Sequence, residues 1–377
     1  MEQVLLDQII ALRAQLHACA EVSGREVVTK HTLLTFLREH TSLELHELAG
    51  GFYAAHREPE GTKSTVALRA DYDALATPEG GAAHLCGHDG HAAALCGVAL
   101  MLEGQSIGRS VFLLFQGAEE TGAGAALCCE LFDREKVDEI YGAHNEPSLD
   151  VGTIAFKAGP TMAACDLFSI RVVGVGTHGA RPNFGKDPLP VATEIYNALQ
   201  SLVSRTLDPL KSAVVSVCSF NTEGSRAYNI ISDSVKMIGT VRTFDESIRD
   251  TIEEELTRRS RGIAAAYGIK AETVYERRVS AVNNDPELTK DAKEAADRCF
   301  GAQNVIELAE PYMISEDFSS YQKVLPGCFF FIGVKDSEHK EALHSPYFDF
   351  NDKALIPAGA FFSYLALERL NKLQEAK

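Results

Sequence analysis

Residues 111–115 read Val-Phe-Leu-Leu-Phe, five apolar side chains in succession. A strand with one face in water alternates apolar and polar positions. A strand with no polar position has to be covered on both faces. In a chain that alternates such runs with helical stretches, the outcome is a sheet with helices packed on it. The neighbouring segments fit. Residues 64–75 begin as a β-rich run and end in acidic residues. Residues 91–102 are rich in Ala and Leu and predict a buried helix. Residues 139–144 and 328–334 predict further buried strands, and apolar positions at helical spacing predict helices over 3–20, 28–40, 286–300 and 353–373. The predicted strands repeatedly give way to polar residues at their C-terminal ends, the edge at which open α/β sheets carry their sites.

Near residue 166 the rhythm changes. Residues 166–279 read strand, helix, strand, strand, helix, strand, the split βαββαβ order of a ferredoxin-like unit. The α/β pattern then resumes. The expected architecture is therefore α/β with two domains: a discontinuous domain from residues 1–165 and 280–377, and an inserted domain over 166–279. A length of 377 residues suits two domains of about 100–200 residues each.

Four predicted strand or loop ends carry chemistry. Cys86 and His88 lie in the stretch Leu-Cys-Gly-His-Asp-Gly-His, where a thiolate and an imidazole two residues apart can hold a borderline-soft ion such as zinc. The same stretch also reads as a polar turn at a helix start, with Asp89 as its cap. Glu119 and Glu120 follow the buried run 111–115. Two adjacent carboxylates there need compensation, which a metal on one and a proton-transfer role for the other would give; a solvated acidic loop is the plainer reading. His144 and His344 stand at the other two ends. Five potential ligands, Cys86, His88, Glu120, His144 and His344, are too many for one tetrahedral zinc with an open position. They suit two ions sharing a bridge.

A net charge of −17 argues against nucleic acid or an anionic membrane as partner. No stretch approaches the roughly 18 apolar residues of a membrane span, and the first residues lack the basic start and unbroken apolar run of a signal peptide. With nine cysteines in no framework spacing, the expectation is a cytoplasmic protein with reduced thiols.

Together, the segments LRADYDAL, CGHDGHAA, GAEETGAGA, AHNEPSLDVGTI, GTHGARP, YNIISDSVKMIGTVRTF, SEDFSSY and LHSPYFDFND resemble, in order and over nearly the whole chain, the dinuclear-metal amidohydrolases. These include hippurate hydrolases, N-acyl-amino-acid deacylases and hydrolases of indole-acetyl-amino-acid conjugates. The resemblance implies a metal-dependent hydrolase that cleaves an N-acyl amino acid, a small-molecule substrate, to a carboxylate and a free amino acid. It implies two divalent ions, zinc or manganese with cobalt or nickel as alternatives, held by Cys86, His88, Glu120, His144 and His344, with Cys86 as the expected bridge. Glu119 matches the general base. His178 matches a histidine of the inserted domain that polarises the scissile carbonyl, and Asn229 and Arg242 match residues near the substrate's carboxylate or backbone. The inserted domain acts in such proteins as a lid and as the surface of a homodimer.

Asp71 is expected to orient a ligand histidine or to cap a turn, and His91 to be a sixth ligand or a support. Glu316 and Asp317 either brace the site or cap a helix. Departures from the family pattern, at Ala76, Leu85, Asn145 and Glu146 and in a shortened stretch over 77–84, bear on the acyl group accepted. Two other readings carry the same residues: a dipeptidase or carboxypeptidase with the same two-metal chemistry, and a ligand-binding protein without turnover.

Overall fold

The computed structural model describes residues 3–58, 64–224 and 227–375, with side chains as far as residue 366. The chain divides into two compact units, Met1–Thr161 with Val282–Pro311 and Glu316–Lys377, and Met162–Ala281 with Tyr312–Ser315. The segment Tyr312–Ser315 returns to the second unit, a connection that nothing in the local sequence pattern marks.

The first unit is built on an eight-stranded sheet: β1 (Glu44–Leu48), β2 (Gly51–His56), β3 (Thr65–Asp71), β4 (Ser110–Gln116), β5 (Glu139–Asp150), β6 (Ile154–Phe156), β11 (Val305–Glu307) and β12 (Gly327–Lys335), the numbers 7 to 10 belonging to the second unit. Their order across the sheet is β1-β2-β4-β3-β5-β12-β6-β11. The four central strands β4, β3, β5 and β12 run parallel, and β1 and β2 add an antiparallel edge. Every residue of β4 is buried, as its unbroken apolar run requires. Helices α1 (Gln3–Ala18), α2 (Val27–His40) and α3 (His88–Leu102) contribute Leu12, Leu33 and Leu95 to the core, which also takes Leu113, Phe115 and Phe330 from the sheet. The edge pair β1–β2 is absent from the sequence-based expectation, because Glu44, His46 and Glu47 break its apolar pattern.

The second unit carries strands β7 (Ala164–Val173), β8 (Ala213–Glu223), β9 (Ser234–Thr243) and β10 (Lys270–Val279), with α4 (Pro188–Arg205) after β7 and α5 (Glu246–Ala266) after β9. The antiparallel order β8-β9-β7-β10 is the split βαββαβ arrangement. Phe168, Ile170, Leu199, Met237 and Ile252 form its separate core. Among the described residues, no helix is long and apolar enough to cross a membrane.

Candidate metal centre

Parallel strands bring their C-terminal ends to one edge, so residues far apart in sequence meet there. Arg69 of β3 pairs in register with Gly142 of β5, which sets Asp71 and His144 at the same level. His144 is in turn level with Phe331 of β12. Between β3 and α3 the chain turns at Gly87, which has φ 88° and precedes the first helical residue, His88. A side chain at that φ is strained, and a Cβ on Gly87 would also lie 2.3 Å from Asn145 Oδ1. The turn thus delivers Cys86 and His88 side by side. Asp89 is not the helix cap: it lies in the first turn, and its buried carboxylate accepts from His17 Nδ1 at 2.7 Å, with Arg13 3.6 Å away.

The five expected ligands, together with the expected base Glu119, fall into overlapping groups. In each, every residue offers an atom within 4.8 Å of the others: Cys86, His88 and His144; Cys86, Glu120 and His344; and His88, Glu119 and Glu120. Cys86 belongs to two of the three. Its Sγ lies 3.3 Å from His144 Nε2.

Tautomers are fixed by the partners of the far nitrogens. His88 Nδ1 lies 3.0 Å from Asp73 Oδ1, so it carries the hydrogen. His144 Nδ1 lies 2.7 Å from the carbonyl of Asn145 and carries one as well. In each neutral ring the Nε2 lone pair then faces inward, and His88, whose proton affinity is raised, would release a proton there on binding a cation. His88 Nε2 and Glu120 Oε1 are buried without a hydrogen-bond partner. Orphaned acceptors beside a thiol are what a divalent cation would satisfy, so the donor set fits such an ion.

The electrostatics agree. Burial raises the Cys86 thiol well above its ordinary value, despite the opposing pull of His88. Burial also raises Glu119 well above the usual carboxylate range, and the negative charges of Glu316, Asp317 and Glu120 add to it. His144 is lowered by burial and by the neighbouring His91 and His88. In His88 the burial effect is outweighed by Asp71 and Cys86, and its value rises. A site that keeps carboxylates and a thiol away from water, with few cations to match, calls for positive charge from outside the chain.

Two supporting residues, Asp73 and Arg69, carry no local sequence signal. Asp73, not Asp71, holds His88, and its other oxygen accepts the backbone N–H of Glu120 at 3.0 Å. Asp71 instead accepts from Arg69 at 2.8 Å and lies 2.6 Å from His91 Nδ1. His91 Nε2 accepts the Asn145 N–H at 3.1 Å, so both its ring nitrogens are engaged. Arg69 is fully buried and donates to Asp71, Glu316, Asp317 and Gln116. A buried arginine in a strand reads locally as a solvent-facing residue; only its partners, up to 248 residues away, explain it. Glu316 and Asp317 thus brace the floor of the site, and the Asp317 N–H approaches Glu119 Oε1 at 3.4 Å.

His178, Asn229 and Arg242 all belong to the second unit. His178 is exposed on the two-residue strand Thr177–His178, and its Nδ1 accepts the Ala180 N–H at 3.1 Å. Asn229 sits in the adjoining turn and accepts the Gly179 N–H at 2.7 Å. Arg242 lies on β9 and donates to Val241 O at 3.1 Å.

Comparison with known proteins gives a consistent result. The model of a family described as peptidase family M20/M25/M40 matches residues 67–368. An N-acetyl-L-cysteine deacetylase of Bacillus subtilis is 36% identical over 98% of this chain and 90% of its own. A hippurate hydrolase of Campylobacter jejuni is 34% identical over 95% of this chain and 96% of its own. Among solved structures, a dinuclear metal-binding M20 peptidase of Bacillus subtilis superposes with a TM-score of 0.81 at 32% identity, covering 98% of this chain and 99% of that one.

Proposed function

From the premise that this chain belongs to peptidase family M20/M25/M40, we propose that it is a metal-dependent amidohydrolase that cleaves the N-acyl bond of N-acyl amino acids, giving a carboxylate and a free amino acid. One observation carries the reading: two candidate ligand groups that share Cys86 stand beside the half-buried carboxylate Glu119.

Cys86, His88 and His144 would hold one divalent ion, and Cys86, Glu120 and His344 the second, with Cys86 as the bridge. Zinc suits the thiolate best; manganese, cobalt and nickel also fit the histidines and carboxylate. Ions bound there supply Lewis acidity, which activates water and polarises an amide carbonyl. Glu119 takes a proton from the attacking water and delivers it to the departing nitrogen. Its raised proton affinity matches that task, because a weakly basic carboxylate would not retain the proton between the two transfers.

The inserted domain, residues 166–279, acts in this reading as a lid and as the surface of a homodimer, while residues 1–165 and 280–377 carry the metals. His178 donates to the developing oxyanion: with Nδ1 accepting from Ala180, Nε2 holds the hydrogen. Asn229 and Arg242 receive the substrate's carboxylate or backbone. The setting is cytoplasmic. Asn145 and Glu146, next to an expected ligand, depart from the family pattern, and that departure bears on the acyl group accepted.

The test is a panel of N-acetyl, N-benzoyl and indole-acetyl amino acids and dipeptides, assayed after reconstitution with zinc or manganese. Hydrolysis of N-acyl amino acids is expected, and it should vanish in Glu119→Gln while metal stoichiometry persists. Turnover of dipeptides alone would replace the acylase reading with a dipeptidase; full turnover by Glu119→Gln would remove Glu119 from its role.

A further inference from the structure

The turn that presents Glu119 and Glu120 contains a strained residue. Ala118 has φ 58°, and it is one of two non-glycine residues with positive φ among those described; the other is the expected ligand His344. The left-handed region is disfavoured for alanine, because its Cβ crowds the following carbonyl. Such a conformation persists only where the surroundings enforce it.

Two carboxylates from elsewhere in the fold grip the turn. On one side, the Glu120 N–H donates to Asp73 at 3.0 Å. On the other, the Ala118 N–H donates to Glu26 Oε1 at 3.1 Å. The second oxygen of Glu26 lies against Gly117, where a Cβ would approach it to 3.1 Å. The Ala118 carbonyl is also engaged, accepting from Gly124 N at 3.1 Å and Thr121 Oγ1 at 2.9 Å.

Glu26 is itself anchored. It immediately precedes α2, and the segment leading to it is tied to the end of β3 by Ser23 N to Ala74 O at 2.9 Å and Ala74 N to Glu21 O at 3.1 Å. Its Oε1 also accepts from Gly24 N. The chain following Asp73 therefore fixes the segment that carries Glu26, and Glu26 and Asp73 together fix the two ends of Ala118–Glu120.

We propose that Glu26 is a positioning residue. By accepting the Ala118 N–H, it holds the left-handed turn that aims Glu119 and Glu120 into the metal centre, and it touches neither metal nor substrate. The inference rests on the reading of Glu119 as proton carrier and Glu120 as ligand.

The experiment compares wild type, Glu26→Gln, Glu26→Ala and the double variant Glu26→Ala/Ala118→Gly. Amide exchange at Ala118 is measured in metal-free protein, zinc affinity by competition with a chromophoric chelator, and kcat and KM on the best N-acyl amino acid. Glu26→Gln keeps an acceptor oxygen and should match wild type. Glu26→Ala should speed Ala118 exchange at least about tenfold and weaken zinc binding about tenfold. It should lower kcat by about ten- to a hundredfold with KM within about threefold, the signature of misplaced catalytic groups. Glycine adopts positive φ without steric cost, so the double variant should regain most of the lost affinity and kcat.

Unchanged Ala118 exchange in Glu26→Ala would overturn the proposal, as would a double variant no better than the single one. If Glu26→Ala does not fold, Glu26→Asp takes its place: it keeps the charge and withdraws the oxygen by one methylene, and the same outcomes decide. A wild type that hydrolyses no N-acyl amino acid, while exchange and zinc affinity still respond as described, would overturn the functional reading and support this one.

Discussion

Asp73 Oδ1 lies 3.0 Å from His88 Nδ1, while its Oδ2 accepts the Glu120 N–H at the same distance. One carboxylate therefore orients two expected ligands, one at the start of α3 and one in the turn after β4. Partners that orient a metal ligand typically contribute ten- to a hundredfold in affinity. Asp73→Ala should weaken zinc binding by about that much, measured against a competing chelator, and Asp73→Asn should fall between, since its single carbonyl can serve only one of the two donors.

Removing the ions should destabilise the first unit. Without them Cys86, His88, His144, Glu119 and Glu120 remain packed together, with orphaned atoms on His88 and Glu120. An ion present at a thousand times its Kd adds about 4 kcal/mol to the folded state. Calorimetry with a chelator should show the transition of that unit shift down, with restoration on adding zinc.

Arg69 has no exposed surface and faces Asp71, Glu316 and Asp317. Its buried charge compensates theirs. Burial raises Asp317 well above the usual carboxylate range despite Arg69, so losing the cation leaves carboxylates in a site that cannot solvate them. Breaking a buried ion network by removing one partner costs about 3–5 kcal/mol. Arg69→Met should lower urea stability by that order even with metal bound.

Glu135 gives a pH dependence away from the metals. Its hydrogen bond with the Arg57 guanidinium holds the carboxyl below its ordinary value, and Tyr53 donates to it at 2.8 Å. A carboxyl lowered in the folded state contributes stability that is complete above its unfolded value and is lost as pH falls through the folded one. Glu135→Gln should therefore be less stable than wild type near neutrality, and the difference should shrink on acidification below about pH 4. Arg57 is partly exposed, so salt should reduce the effect. Denaturation midpoints at several pH values and two salt concentrations provide the measurement.

The sheet was legible because it leaves local marks, and the titratable residues that gather at its edge were legible with it. A buried parallel strand is apolar throughout, and its polar sequel marks the sheet edge, so Val111–Phe115 announced Glu119 and Glu120; His144 was expected at a strand end too, but β5 runs on to Asp150, because Asn145 and the residues after it keep pairing with β12. The supports were not legible. Asp71 and Asp73 lie two residues apart with the same chemistry, and only packing decides that Asp73 meets His88 while Asp71 meets His91 and Arg69. Glu26 reads as an ordinary acidic residue ahead of a helix. Its partner, Ala118, lies 92 residues away and shows its strain only in three dimensions.

The two groups of expected ligands that share Cys86 differ in their access to solvent. Cys86, His88 and His144 are all buried, whereas the group with Glu120 and His344 grades outward, and the His344 side chain is 57% exposed. Two ions held this way would not exchange alike. The inner one would behave as a permanent fitting, lost only when the fold opens. The outer one would trade with whatever divalent ion the surroundings offer, so that a change in metal supply could retune the enzyme without new synthesis.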